Sequence, residues 1–311
     1  MTARWVEVPQ DESGRRLDNF LLARLKGVPR SRVYRMIRSG EVRINGGRGR
    51  AETRLAGGDQ VRIPPLRRAA ARGPGGPPPA RVAWLERRLL HVDRDLLVVD
   101  KPAGLAVHGG SGVSWGVIEL LRAGRYGGEG LELAHRLDRE TSGCLVLARR
   151  RPVLRALHQQ FRDGELRKEY LALLCGRWRG GERPVDQPLR TVRIAGERRS
   201  VPDPGGRIAR SRFVPLQVWR RASWCRVQID TGRMHQIRAH AVWLGHPVVG
   251  DPRYGGEAAM ETAAALGLKR MGLHAAAISF EHPRSGLVLR CEAPLDDALQ
   301  ATLAALAAAG Q

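Results

Sequence analysis

Apolar residues in RRLDNFLLARLKG fall at Leu17, Phe20, Leu21 and Leu25, a helical spacing that predicts a short amphipathic helix closing at Gly27. VPRSRVYRMIRSG repeats the period, with Val33, Met36 and Ile37 on an inward face and Gly40 as a stop. On the opposite face Arg32, Arg35 and Arg38 lie at i, i+3 and i+6, so one side of that helix carries a row of three cations. The period then changes to two. Val42 and Ile44 alternate with Glu41, Arg43 and Asn45 in EVRINGG, a strand entering a Gly turn, and GDQVRIPP reads as a second strand stopped by prolines. Residues 14–65 are therefore expected to form a compact module of two small helices followed by strands.

Periodicity disappears over residues 66–82, LRRAAARGPGGPPPARV, where Pro, Gly and Arg crowd together. Such a composition predicts a flexible interdomain linker, stiffer where the prolines cluster. Residues 83–306 form the second expected domain. Short β-rich runs dominate it (LLVVDKP, CLVLARR, YLALLCG, FVPLQVW, CRVQIDTG), with helical stretches in SWGVIELLRAG, RPVLRALHQQFRDG and the Ala-rich tail. The strands do not interleave regularly with the helices. That order predicts an α+β fold with a mostly antiparallel, mixed sheet rather than a doubly wound one. Residues 181–210, polar and rich in Arg, Pro and Gly, read as an exposed β-hairpin excursion.

Composition adds a partner. The 311 residues carry 53 Lys plus Arg against 31 Asp plus Glu, a net charge of +22, which points to a polyanion, nucleic acid before acidic membrane. Residues 1–90 hold 20 basic and 8 acidic side chains, making the amino-terminal third the denser electrostatic footprint. No apolar run reaches the roughly 18 residues of a membrane span, and the start lacks the apolar stretch of a signal peptide. The four cysteines, Cys144, Cys175, Cys225 and Cys291, lie far apart, as expected of idle thiols in a reducing cytoplasm.

Three segments could carry chemistry. In HRLDRETSGCLVLARR, Asp138 sits between Arg136 and Arg139 in a polar turn before an apolar strand; neighbouring cations favour the charged carboxylate, which can serve as nucleophile or base. IDTGRMHQIRAH turns at Thr231-Gly232 and then displays Arg233, His235, Gln236 and Arg238, with Arg233 expected as the counter-ion of Asp138. LRKEYLALLCG places Tyr170 at the head of a strand, where its ring could stack on a base. A rival, Gly112-Val113-Ser114-Trp115-Gly116, satisfies the hydrolase elbow pattern, but the residues before it read as loop rather than strand. No Cys/His cluster has metal-ligand spacing.

HRLDRETSG, RKEYLAL and TGRMHQIRAH together resemble the RluA-type pseudouridine synthases, a similarity running from about residue 91 to EAPL at 292–295. Residues 14–65 resemble the small S4 (αL-type) RNA-binding domain. The first resemblance implies isomerisation of uridine in ribosomal RNA, 23S rRNA in particular. Because that reaction conserves atoms and takes no electrons from outside, neither cofactor nor metal is expected; no membrane partner is expected, and a monomer is the default. The same resemblance implies Asp138 as the catalytic aspartate, Tyr170 as the ring stacking on the target base and Arg233 as the partner of the aspartate. Arg136 would help fill the gap left by a flipped nucleotide, with His135 beside it on the substrate. The S4 resemblance implies phosphate contacts from Arg30, Arg32, Arg35, Arg38 and Arg43. Mild departures from the family pattern are Glu140, Cys144 and Met234, none of them at a proposed catalytic side chain. The alternatives are a synthase acting on other rRNA or tRNA uridines, or an S4-type RNA-binding or ribosome-assembly protein without catalysis.

Overall fold

An apolar stripe on a short helix must be covered, and in the first part of the chain two such stripes cover each other. The computed structural model describes residues 3–25, 28, 30–65, 76–110, 113–128 and 130–309, and the chain divides into two units, Met1–Pro74 and Gly75–Gln311. In the first unit α1 (Leu17–Arg24) packs on α2 (Arg30–Arg38), with Leu17, Phe20, Leu21, Val33 and Met36 fully buried. Strands β1 (Arg4–Glu7), β2 (Arg43–Ile44) and β3 (Gln60–Ile63) form a sheet in the order β1-β3-β2. The sequence places the module's start at residue 14, but β1 pairs antiparallel along β3, with Arg4 opposite Ile63. β1 escapes a pattern search because just one of its four residues, Val6, is even partly buried. Gly40 ends α2 in the left-handed conformation (φ +72°), the usual device for stopping a helix.

The second unit begins with α3 (Pro79–Glu86), whose Val82 and Leu85 are buried. Its leading Pro suits a first helical turn, where no N–H is needed. Residues 79–82, read from sequence as linker, therefore belong to this helix, and 66–75 lie outside the described residues. Next come β4 (Leu89–Val92), β5 (Leu96–Lys101), α4 (Val117–Ala123), β6 (Glu132–Leu133), β7 (Ser142–Ala148), α5 (Arg151–Asp163), β8 (Arg167–Cys175) and β9 (Arg183–Asp186). β10 (Leu189–Ile194), β11 (Glu197–Pro202), β12 (Arg210–Val218), β13 (Ala222–Ile229) and α6 (Gln236–Trp243) follow. The chain closes through α7 (Gly256–Ala265), β14 (Leu273–Glu281), β15 (Val288–Glu292) and α8 (Asp297–Ala308).

The main sheet runs β4-β5-β7-β14-β8-β13-β12-β9, with β15 added on β14 and β6 on β7. Among the described strands, β7 and β14 alone pair parallel, so the sheet is mixed and mostly antiparallel, as expected. β5 and β7 are buried along their whole length, which explains their unbroken apolar runs. Leu97, Val99, Leu145 and Leu147 face α3 and α4; Leu96, Val98 and Val146 face α5. Where β7 meets β14, Gly143 (φ +107°) lies so close that a Cβ would stand 2.2 Å from the Ala275 carbonyl oxygen. Glycine is required there.

The 181–210 excursion is only partly a separate hairpin. β10 and β11 pair with each other through Ala195-Gly196, both at positive φ as a tight hairpin turn demands. β9 instead joins the edge of the main sheet against β12, where Val185 buries beside Phe213. β14 is not legible as a strand: HAAAI is short of the branched side chains that mark one.

Candidate active site

Asp138 sits on the loop between β6 and β7, and that loop is pinned from behind. Lys101, at the end of β5 and fully buried, donates Nζ–H bonds to the carbonyls of Pro102 (2.9 Å), Leu105 (2.9 Å) and Arg139 (3.0 Å). Burial pushes Lys101 down to about 7, against the pull of Glu140; three carbonyl acceptors compensate for the lost hydration. The Gly104 N–H donates to the same Arg139 carbonyl, and the Thr141 N–H closes a turn on the Asp138 carbonyl.

The facing wall comes from TGRMHQIR, the turn between β13 and α6. Buried Gln236 organises it. Its Oε1 accepts from the Thr231 hydroxyl (2.7 Å) and the Arg233 N–H (3.0 Å), and its Nε2 donates to the Arg210 carbonyl and Ser211 Oγ. His235 then takes a left-handed conformation (φ +53°) at the N-cap of α6.

The carboxylate's guanidinium is Arg238, not Arg233. Arg238 Nη1 donates to Asp138 Oδ2 at 3.1 Å, while Nε and Nη2 form a fork on Asp251 at 2.6 and 2.7 Å. Burial works against this guanidinium's charge, but Asp251 and Asp138 outweigh it and raise its pKa. Arg233 lies before the left-handed turn, and its Nε donates to the Ile208 carbonyl at 2.8 Å. It remains in the wall of the same cavity.

That cavity, about 230 Å³, is bordered by Arg136, Asp138, Tyr170, Arg233, His235 and Arg238, with apolar walls from Leu137, Ile229 and Leu273. It is smaller than sites for drug-sized ligands, a size suited to one ring system. Tyr170, from β8, brings its ring to the cavity, and burial, reinforced by the charge of Asp138, pushes its phenol above the usual tyrosine range. The phenol therefore stays protonated. Arg136 is exposed at the cavity.

His135 does not do what was expected. Its ring is absent from the cavity wall; Nε2 accepts the Val146 N–H at 3.0 Å and the ring leans on Phe161, 5.1 Å away. Burial, helped by Lys168, pushes it down to about 4, so it is a neutral brace of β7. His235 is also held neutral: burial lowers its pKa, and Arg238 and Arg253 oppose the pull of Asp138. Its Nε2 stands 3.6 Å from Asp138 Oδ1, and its Nδ1 lies 2.9 Å from the Tyr254 hydroxyl.

Sequence reasoning missed Asp251, Tyr254 and Lys101 as parts of the site. A signal existed for Arg238: it sits amid Ile237, Ala239 and Ala241, and a cation within a buried helix needs a carboxylate. In the first unit, Arg35 and Arg38 are exposed, Arg32 reaches Glu41 at 3.4 Å, and Arg43 is partly covered on β2. Arg30 opens α2, but its side chain lies outside the described residues.

Other candidates fail on geometry. Asp93, Asp95 and His282 converge, but Asp95 is taken by Arg284 and Arg150, and Asp93 by backbone N–H groups and two histidines. Among the described residues no strand leads into Ser114, which precedes α4; Gly110 and Val113 meet in an isolated bridge. All four thiols are free, and burial pushes Cys144 and Cys225 up to about 12. No helix among the described residues is long and apolar enough to cross a membrane.

Residues 95–243 match the RNA pseudouridylate synthase family, and residues 15–61 match the S4 domain. Ribosomal large subunit pseudouridine synthase C of Salmonella typhimurium is 46% identical over 305 residues, covering 97% of this chain and 96% of that protein. The protein of the same description from Escherichia coli K12 is 45% identical over 302 residues, covering 96% and 95%. Among solved structures, human RNA Pseudouridylate Synthase Domain Containing 4 superposes with a TM-score of 0.60 at 24% identity, covering 73% of this chain and 96% of its own, a likeness of fold. Human RNA Pseudouridylate Synthase Domain Containing 1 gives 0.58 at 25% identity, covering 69% and 86%.

Proposed function

The chain belongs to the RNA pseudouridylate synthase family and carries an S4 domain, and from that premise we propose that it isomerises uridines of 23S rRNA in the cytoplasm, with Asp138 as the catalytic carboxylate. The reaction breaks the N1–C1′ bond, turns the uracil and joins C5 to C1′; a proton leaves C5 and one is gained at N1. The carboxylate opens the sequence in one of two ways, by attack on C1′ or by removal of the 2′ proton.

The observation that carries the reading is the placement of one carboxylate and one aromatic ring in the wall of a single base-sized cavity. A stacked uridine must be flipped out to enter it, at a cost of a few kcal/mol. A base resting on the Tyr170 ring regains about 1–3 kcal/mol of stacking. Arg136, exposed at the cavity, is placed to occupy the space the base leaves, and Arg233 adds a second cation there for the phosphates beside it. Arg238 holds Oδ2 of Asp138, so the carboxylate meets the sugar in one orientation. The exposed arginines of α2 bind RNA backbone without reading its bases.

The test is Asp138→Asn, assayed by tritium release from 5-labelled uridine in 23S rRNA, alongside filter binding. Release should vanish while RNA affinity is retained. Release at the wild-type rate would refute the assignment and leave an RNA-binding protein in its place.

A further inference from the structure

Arg238 accounts for one oxygen of Asp138. The other faces His235, and the surroundings of that imidazole determine where its proton sits. Its side chain is 8% exposed, with Nε2 3.6 Å from Asp138 Oδ1. On the far side, Nδ1 is 2.9 Å from the hydroxyl of Tyr254, and that oxygen already accepts the backbone N–H of Ser200 in β11 at 2.7 Å. A phenol has a single proton to give, and among the described residues Nδ1 is the hydrogen-bond acceptor that meets it. If Nδ1 held the ring proton instead, the phenol oxygen would accept twice and its own O–H would go without a partner. The satisfied arrangement therefore has Tyr254 donating to Nδ1, which leaves the ring proton on Nε2, directed at Asp138.

Two further features hold the ring in this orientation. The Tyr254 ring meets it edge-on, with centroids 5.4 Å apart at 86°, and Arg238 lies 4.8 Å above the Tyr254 face. His235 also keeps a left-handed backbone (φ +53°), a conformation that costs a non-glycine residue about 1 kcal/mol or more and persists where surrounding contacts enforce it. Those contacts are in place, because the Ser200 hydroxyl donates to the carbonyl of Met234, one residue before the kink.

Resting on the reading of Asp138 as the catalytic carboxylate, we propose that His235 is a positioning residue for the isomerisation, a neutral imidazole whose Nε2–H, oriented by Tyr254 and the Ser200 backbone, steadies Oδ1 of Asp138 while Arg238 holds Oδ2. The 3.6 Å gap is longer than a hydrogen bond; bonds of this kind tighten once the substrate is in place. The arrangement ties the reacting carboxylate to the β10–β11 hairpin, whose Arg190 and Arg198 line the groove beside the cavity.

Single-turnover tritium release at saturating enzyme tests this, with RNA affinity measured in parallel. His235→Leu should slow release on the order of 10²-fold, the scale of a misplaced reacting group, with affinity unchanged. His235→Gln, which offers an amide N–H at the Nε2 position, should recover most of that loss. Tyr254→Phe should cost about tenfold in the wild-type background and less than about twofold in the His235→Gln background, because an amide has no tautomer to set. Equal costs in the two backgrounds would overturn the proposal, as would a fully active His235→Leu. If His235→Leu does not fold, the cycle between His235→Gln and Tyr254→Phe decides alone. Asp138→Asn is run beside them: activity in that variant would fail the underlying reading, whereas its inactivity together with an additive cycle would fail this proposal alone.

Discussion

Replacing Arg238 by Met removes a side chain that touches both Asp138 and Asp251, and the two losses can be separated. Asp251 is fully buried and accepts four bonds: two from Arg238, at 2.6 and 2.7 Å, and two from the N–H groups of Arg253 and Tyr254, at 3.0 and 3.1 Å. Without the guanidinium, a buried anion keeps two backbone dipoles and no counter-charge. Breaking a buried pair from one side costs about 3–5 kcal/mol, a large share of the roughly 5–15 kcal/mol that holds a domain together. The melting temperature of the catalytic unit should fall by roughly 10 °C. Adding Asp251→Asn removes the orphaned charge yet keeps an oxygen for both N–H groups, so the double variant should regain more than half of the lost stability. Tritium release should not return with it, because Asp138 Oδ2 still lacks its donor. Calorimetry and the release assay on the same preparations check both halves. A single variant within about 1 kcal/mol of wild type would refute the charge argument; an active double variant would refute the link to Asp138.

Further outcomes concern binding and acid stability. Removing Arg35 and Arg38 together, each to Gln, should flatten the dependence of log affinity on log salt by about 0.7–0.9 for each phosphate left without its guanidinium. Adding Arg32→Gln should change it less, since that guanidinium already faces Glu41; an unchanged slope in the triple variant places the RNA elsewhere. His135 should make the fold acid-sensitive. Its folded pKa of about 4 lies below the usual 6.5, so between those values the unfolded chain takes up a proton that the folded one refuses. Stability is lost as pH falls from about 6.5 towards 4, by up to ~3 kcal/mol from this group. In His135→Asn that contribution should be missing from the pH profile of denaturant unfolding, and parallel profiles for the two proteins would contradict it.

What the sequence made legible follows the strength of each local signal. α1 and α2 were readable because Leu17, Phe20, Leu21, Val33, Met36 and Ile37 keep a helical period and are all buried. β5 and β7 announced themselves as unbroken apolar runs. Asp138 and Tyr170 were identified by the motifs around them, and the structure brings both to one cavity. The choice between Arg233 and Arg238 was only partly legible: the apolar neighbours of Arg238 call for a carboxylate, but the left-handed turn at His235 that decides which arginine reaches Asp138 is a backbone φ that no side-chain pattern encodes. His135 misled for the opposite reason: it adjoins the motif, but its ring turns back to the Val146 N–H. Asp251 and Tyr254 sit in GDPRY, where an acid among turn residues reads as a surface group until a guanidinium more than ten residues away is seen to need it.

The parallel seam at β14 bears on when the enzyme comes into being. β14 lies between β7, which follows the Asp138 loop, and β8, which carries Tyr170 and pairs with the strand leading to His235 and Arg238. The bond from Ser142 to His274 across this seam spans 132 positions. Protein synthesis delivers the chain from its amino end at about 5–20 residues per second, so every side chain proposed for catalysis emerges before the strand that clasps the two halves of the sheet. A nascent chain extending no further than Arg270 holds Asp138, Tyr170, His235 and Arg238 without the strand that aligns them. On this topology the cavity can close only when the last third of the catalytic unit has been made.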